Sequence, residues 1–148
     1  MAREPIGRVD HVGFAVRSIA QARSFFEGAL GARFRFEAEG RGGSFRFAVF
    51  DLGGFTIEVL EPARPDGFVA RFLDKRGEGF HHMTIQVKDL ARRVRQLEAE
   101  GLRVVDQSLD GPSWLDAFIS PRSACGVLIQ LAETCPPLDN EPYWKLGD

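Results

Sequence analysis

The chain says the same thing twice. The segment DHVGFAVRSIAQARSFFEGALGARF, from Asp10, lies over HHMTIQVKDLARRVRQLEAEGLRVV, from His81, which sets His11 against His82 at an offset of 71 residues. Few features constrain a fold as tightly, because two copies must adopt one local structure and share burial that neither achieves alone. Each copy opens on a histidine followed by apolar residues at alternate positions: Val12, Phe14 and Val16 in the first, Met83, Ile85 and Val87 in the second. A period of two predicts strands. Ser18 and Asp89 then stand where helix N-caps belong, with side-chain oxygens suited to the first free backbone N–H groups. Beyond them Ile19, Ala22, Phe25, Phe26 and Leu30 line one face of a predicted helix, as do Leu90, Val94 and Leu97 in the second copy. Gly31 and Gly101 fall where a helix ends in a left-handed residue.

Three further apolar runs close each copy. Residues 33–36, 44–50 and 55–61 predict strands in the first, with a turn at Asp51-Leu52-Gly53-Gly54. Residues 102–105, 114–120 and 126–132 predict them in the second, with a longer loop through Pro121 and Cys125. Between the copies, Phe68 to Lys75 reads as a short helix. The order is β-α-β-β-β per copy. The predicted fold is α+β: tandem βαβββ modules forming a curved, mostly antiparallel half-barrel sheet, helices on the outer face and a ligand-sized inner one. One domain is expected over 1–148, with modules at 8–62 and 79–133, a linker at 63–78 and a C-terminal tail at 134–148. The tail, CPPLDNEPYWKLGD, is expected either to fold over a neighbouring subunit or to stay loosely ordered.

Composition removes whole classes of function. With 19 basic and 21 acidic residues and no long basic stretch, the chain lacks the charge for many phosphate contacts, which argues against nucleic-acid binding. Apolar runs are only a few residues long, far below the roughly 20 that cross a bilayer as a helix. The opening MAREPIGRVD has no apolar core of a signal peptide. Two cysteines, Cys125 and Cys135, form no framework and read as reduced thiols of a cytoplasmic protein, a disulfide between them being the alternative.

The repeat also aligns polar residues. Glu58 lies in the last strand of the first copy, 47 residues after His11, and Gln130 in the last strand of the second, 48 after His82. Their neighbours Ile57, Val59, Ile129 and Leu131 are core-type, so a period of two turns Glu58 and Gln130 to the opposite, inner face. His11 and His82 share the face of Gly13 and Thr84. Two imidazoles, a carboxylate and an amide oxygen suit one divalent ion such as Zn, Co, Ni, Mn or Fe, with positions left for water or substrate. His81 faces the other way and reads as a core or boundary residue. Phe47, Val49 and Phe118 are candidates to line the cavity, with core packing as the plainer role.

The strings VDHVGFAV, FTIEVLEP, RGEGFHHMTIQV and SPRSACGVLIQLAE, in this order, resemble the vicinal oxygen chelate superfamily of glyoxalases, bleomycin-resistance proteins and dioxygenases. Within it the methylmalonyl-CoA epimerase-like members are the most similar. The resemblance implies a metal held by His11, Glu58, His82 and Gln130, a homodimer, and proton abstraction next to a carbonyl with Glu58 as the base. It implies a small-molecule substrate, an acyl-CoA foremost, and a contact from Arg122 to a substrate phosphate or carboxylate. A lyase resembling glyoxalase I (lactoylglutathione lyase-like) and a non-catalytic small-molecule binding or resistance protein are the alternatives. One departure matters. The families it resembles usually carry Glu in the last strand, and Gln130 there can offer an oxygen but cannot take a proton at neutral pH.

Overall fold

The computed structural model describes residues 4–147; residues 1–3, the head of the segment read for a leader, and residue 148, the end of the tail, lie outside it. The chain divides into two compact units, His11–His81 and Met1–Asp10 with His82–Asp148. The division follows the repeat.

The His11–His81 unit holds most of β1 (Gly7–Ala15), then α1 (Ile19–Arg23), β2 (Arg33–Glu39), β3 (Phe45–Leu52), β4 (Phe55–Pro62) and α2 (Phe68–Arg76). Its strands lie in the order β2-β3-β4-β1, with β1 parallel to β4 and the other pairs antiparallel. β3 and β4 form a tight hairpin. Its two central residues, Gly53 and Gly54, have φ of 60° and 94°, a left-handed pair that glycine adopts without strain, and the Gly54 N–H is held by Asp51 Oδ1 at 2.8 Å. Ile19, Ala22 and Phe26 pack on Ala48, Phe50, Ile57 and Val59, so the helix covers one face of these strands. Truncation of Phe50 or Val59, both fully buried, would open a cavity in a small core.

The predicted helical face does not run its full length. From Ser24 to Ala29 the chain widens into a π-helical turn, where the Leu30 N–H reaches the Phe25 carbonyl five residues back at 3.2 Å. The extra residue per turn rotates the face. Phe26 stays buried, whereas Phe25 and Leu30, expected in the core, are 54% and 45% exposed.

The second unit carries most of β5 (Gly79–Val87), with α3 (Leu90–Ala99), β6 (Val104–Ser108), β7 (Trp114–Ile119) and β8 (Leu128–Thr134). The strand order, β5-β8-β7-β6, and the single parallel pair, β5 with β8, reproduce the first unit. Leu90 and Val94 of α3 pack on Ala117, Ile119 and Leu131. The two copies even start their helices alike. Ser18 and Asp89 cap through their side chains, accepting from Gln21 N and Arg92 N, while a strand-end carboxylate takes the first helical N–H: Glu61 from Ile19 at 2.6 Å, Glu133 from Leu90 at 2.7 Å. A carboxylate there also meets the positive end of the helix dipole.

The tail has contacts within its own unit. Tyr143 packs edge-on against Trp114 of its own unit at 5.7 Å, and the Arg8 guanidinium donates to the Glu141 carbonyl. Cys125 and Cys135 are both free and exposed. Among the described residues no helix is long and apolar enough to cross a membrane.

Candidate functional site

The parallel pairing of β1 with β4 sets Gly13 opposite Glu58 and His11 opposite Thr56. His11 and Glu58 therefore project from one face, while Ile57 and Val59 turn to the core under α1. His11 is 2% exposed, and its Nε2 lies 3.5 Å from Glu58 Oε2. Gly13 has no side chain to cover the carboxylate from β1.

The second unit repeats the register and changes the chemistry. Thr84 stands opposite Gln130 and His82 opposite Leu128, so His82, Thr84 and Gln130 share a face; His82 and Thr84 are buried. Where the first unit has Gly13, Thr84 Oγ1 donates to Gln130 Oε1 at 2.6 Å. At its other end Gln130 Nε2 donates to Asp116 Oδ2 at 3.0 Å, and Trp114 Nε1 donates to the same oxygen at 3.1 Å. Asp116 is 5% exposed. The sequence reading missed it, because its register counterpart offers no match. Phe118 pairs with Gln130 as Val49 pairs with Glu58, and two residues earlier stand Asp116 and Phe47 respectively. An acid matched to a phenylalanine breaks the repeat instead of announcing itself.

The remaining candidates are more ordinary. Phe47 shares the face of Glu58 but sits against Phe36 and Phe45, at 5.8 and 6.3 Å, beside the core formed by Leu60, Val69 and Leu73. Phe118 is half-buried beside Gln130. Arg122 is exposed on the turn Pro121–Ser123, its backbone N–H held by Ser120 Oγ.

His81 is a boundary histidine, as its alternation predicts. It lies against the rings of Phe68 and Phe72, 5.6 and 4.9 Å away, and burial there, helped by Arg76, lowers its pKa to about 4. The unfolded chain protonates this imidazole near pH 6.5. The folded-state pKa is depressed, so stability from neutral His81 is whole above about pH 6.5 and is lost as pH falls toward 4, by at most about 3 kcal/mol. His81→Phe is expected to flatten this part of the profile, read as urea midpoints at pH 7 and 4.5. Equal acid losses in variant and wild type would show that His81 does not carry the effect.

The chain belongs to the glyoxalase/bleomycin resistance protein/dioxygenase superfamily, whose family model matches residues 10–114. Among individual relatives, the uncharacterized protein YqjC of Bacillus subtilis (strain 168) is 35% identical over 140 residues, spanning 92% of this chain and 99% of that protein. The crystal structure of methylmalonyl-CoA epimerase from Mycobacterium tuberculosis is similar at 30% identity and a TM-score of 0.80, over 99% of this chain and 96% of that one. A variant of the Streptomyces coelicolor methylmalonyl-CoA epimerase, in complex with 2-nitronate-propionyl-CoA, is similar at 26% identity and a TM-score of 0.77, over 88% of this chain and 99% of that one.

Proposed function

We propose that this chain is a metal-dependent isomerase that moves a proton next to the carbonyl of an acyl-CoA, in the manner of a methylmalonyl-CoA epimerase. The observation that carries the reading is the pair of buried His11 and partly exposed Glu58, 3.5 Å apart on the face that the helix leaves uncovered. Its repeat counterpart, His82 with Gln130, presents a second imidazole and an amide oxygen. Each pair, an imidazole with a carboxylate or an amide oxygen, offers donors of the kind that divalent ions such as Zn, Co, Ni, Mn or Fe accept. When bound, such an ion stabilises the negative charge that develops on the carbonyl oxygen as the α-proton leaves. The similarity to epimerase structures, one of them holding an acyl-CoA analogue, supports the substrate class.

The chain's own residues divide the remaining work. His11 and His82 are buried, which holds their rings in fixed directions. Glu58 has two oxygens, so one can face the ion while the other receives the proton. Gln130 cannot act as a base, so the second unit offers no carboxylate at the position that matches Glu58. Arg122, exposed on its turn, is offered to a phosphate or carboxylate of the substrate.

Elemental analysis of the purified, reconstituted protein and incubation with methylmalonyl-CoA in deuterated water test the reading. Expected are a stoichiometric ion and metal-dependent entry of deuterium at the α-carbon, faster than inversion because the position matching Glu58 in the second unit is Gln130, which is no base. Absence of metal after reconstitution, or metal without α-proton exchange, overturns the epimerase assignment. Thiol-dependent loss of methylglyoxal in place of exchange would transfer the chain to the lyase class.

A further inference from the structure

An amide side chain can present either end to a site, and only its surroundings decide which. Around Gln130 the decision is unambiguous. Asp116 Oδ2 accepts from the Trp114 indole N–H at 3.1 Å and stands as an acceptor toward Gln130 too, so the group facing it at 3.0 Å is the amide NH2. The oxygen therefore points toward β5, where Thr84 Oγ1 donates to it at 2.6 Å and where His82 stands one alternation away on the same face. One lone pair of Gln130 Oε1 is taken by Thr84, and the other is left for a ligand. Asp116 is itself fixed by the Trp114 indole, whose N–H shares Oδ2 at 3.1 Å, and it is 5% exposed. The first unit has no such device. Phe47 occupies the register position of Asp116, and Gly13 that of Thr84.

We infer that Asp116 is a positioning residue that fixes Gln130 with its carbonyl oxygen turned toward the ligand side of the second unit, so that an amide acts there as an oxygen donor. The inference rests on the metal reading above. It assigns Asp116 no contact with substrate or ion. Outer partners of this kind set ligand direction, and their loss typically costs about 10–100-fold in metal affinity. What the device requires is an acceptor at the place of Oδ2, not the charge.

That requirement separates two substitutions. Asp116→Asn keeps a carbonyl oxygen able to accept from both Trp114 and Gln130. Asp116→Leu keeps the approximate size and removes the acceptor. Titration of the metal-free protein with cobalt(II), followed by calorimetry, is expected to show Asp116→Asn close to wild type and Asp116→Leu weaker by about 10–100-fold. In isotope-labelled protein, the side-chain amide of Gln130 is expected to keep its hydrogen-bonded shift and slow exchange in Asp116→Asn and to lose both in Asp116→Leu. Equal affinity of Asp116→Leu and wild type overturns the inference, as does an Asp116→Asn protein as weak as Asp116→Leu. If the wild type takes up no ion, the metal reading falls, and the amide resonances still decide whether Asp116 orients Gln130. Should Asp116→Leu fail to fold, Trp114→Phe, which frees Oδ2 from its second donor, is expected to loosen the same resonances; unchanged resonances would count against the inference.

Discussion

Replacing Glu58 by glutamine is expected to slow α-proton exchange by about 10²–10⁴-fold, the usual contribution of a positioned general base. The substitution keeps shape and an oxygen donor but removes the ability to accept a proton near neutral pH. Both units would then carry the same amide at matching strand positions. The surroundings of Glu58 make the change easy to bear structurally: its strand neighbours Ile57 and Val59 hold the core, Gly13 opposite it makes no side-chain contact, and the carboxylate side chain is itself 12% exposed. Metal content is therefore expected to persist while deuterium entry into methylmalonyl-CoA collapses. An exchange rate within twofold of wild type, with metal retained, would remove Glu58 as the base. Loss of metal along with rate would instead make its ligand role the dominant one, and His11→Ala should then reproduce the loss.

Much of this site is legible in the sequence, for a physical reason. Parallel pairing of the first and last strands of each copy converts sequence offset into spatial register, so residues 47 and 48 positions apart reach one face in both units. Strand alternation, the Ser18 and Asp89 caps and the terminal glycines Gly31 and Gly101, with φ of 71° and 88°, all point the same way. Two features were out of reach. The π-helical turn at Ser24–Ala29 depends on one added residue per turn, which a period of 3.6 does not encode, and it turned Phe25 and Leu30 outward. Asp116 was hidden by the same repeat that revealed Gln130. In the string WLDAFIS a single acid between apolar residues reads as a solvent-facing position of a half-buried strand. Its burial follows from Trp114 two residues before it and Gln130 on the neighbouring strand, a diagonal contact that only the β7–β8 register fixes. The usable hint was Gln130 itself, since an amide in an apolar strand needs a partner at each end.

That partnership makes a second large effect expected for Gln130→Glu. The new glutamate would place an oxygen where Nε2 now stands, 3.0 Å from Asp116 Oδ2. Two full charges at that separation repel by about 5 kcal/mol at an effective dielectric of roughly 20, so one carboxyl keeps its proton and its pKa rises. Holding that proton in the fold while the unfolded chain releases it costs stability only where the unfolded carboxyl ionises, near pH 4, and increasingly above it. The loss is expected to be about 1 kcal/mol at pH 5 and about 3–5 kcal/mol at pH 8. Urea unfolding at the two pH values reads it directly. Asp116→Asn in the same chain removes the second charge and supplies an amide able to donate to the new carboxylate, so the double variant should recover most of the loss at pH 8. A deficit that is independent of pH and equal in the single and double variants would mean that volume or strain, not the meeting of two acids, sets the cost. Recovery in the double variant would show that the second unit tolerates a carboxylate at position 130 or at position 116, but not an ionised one at both.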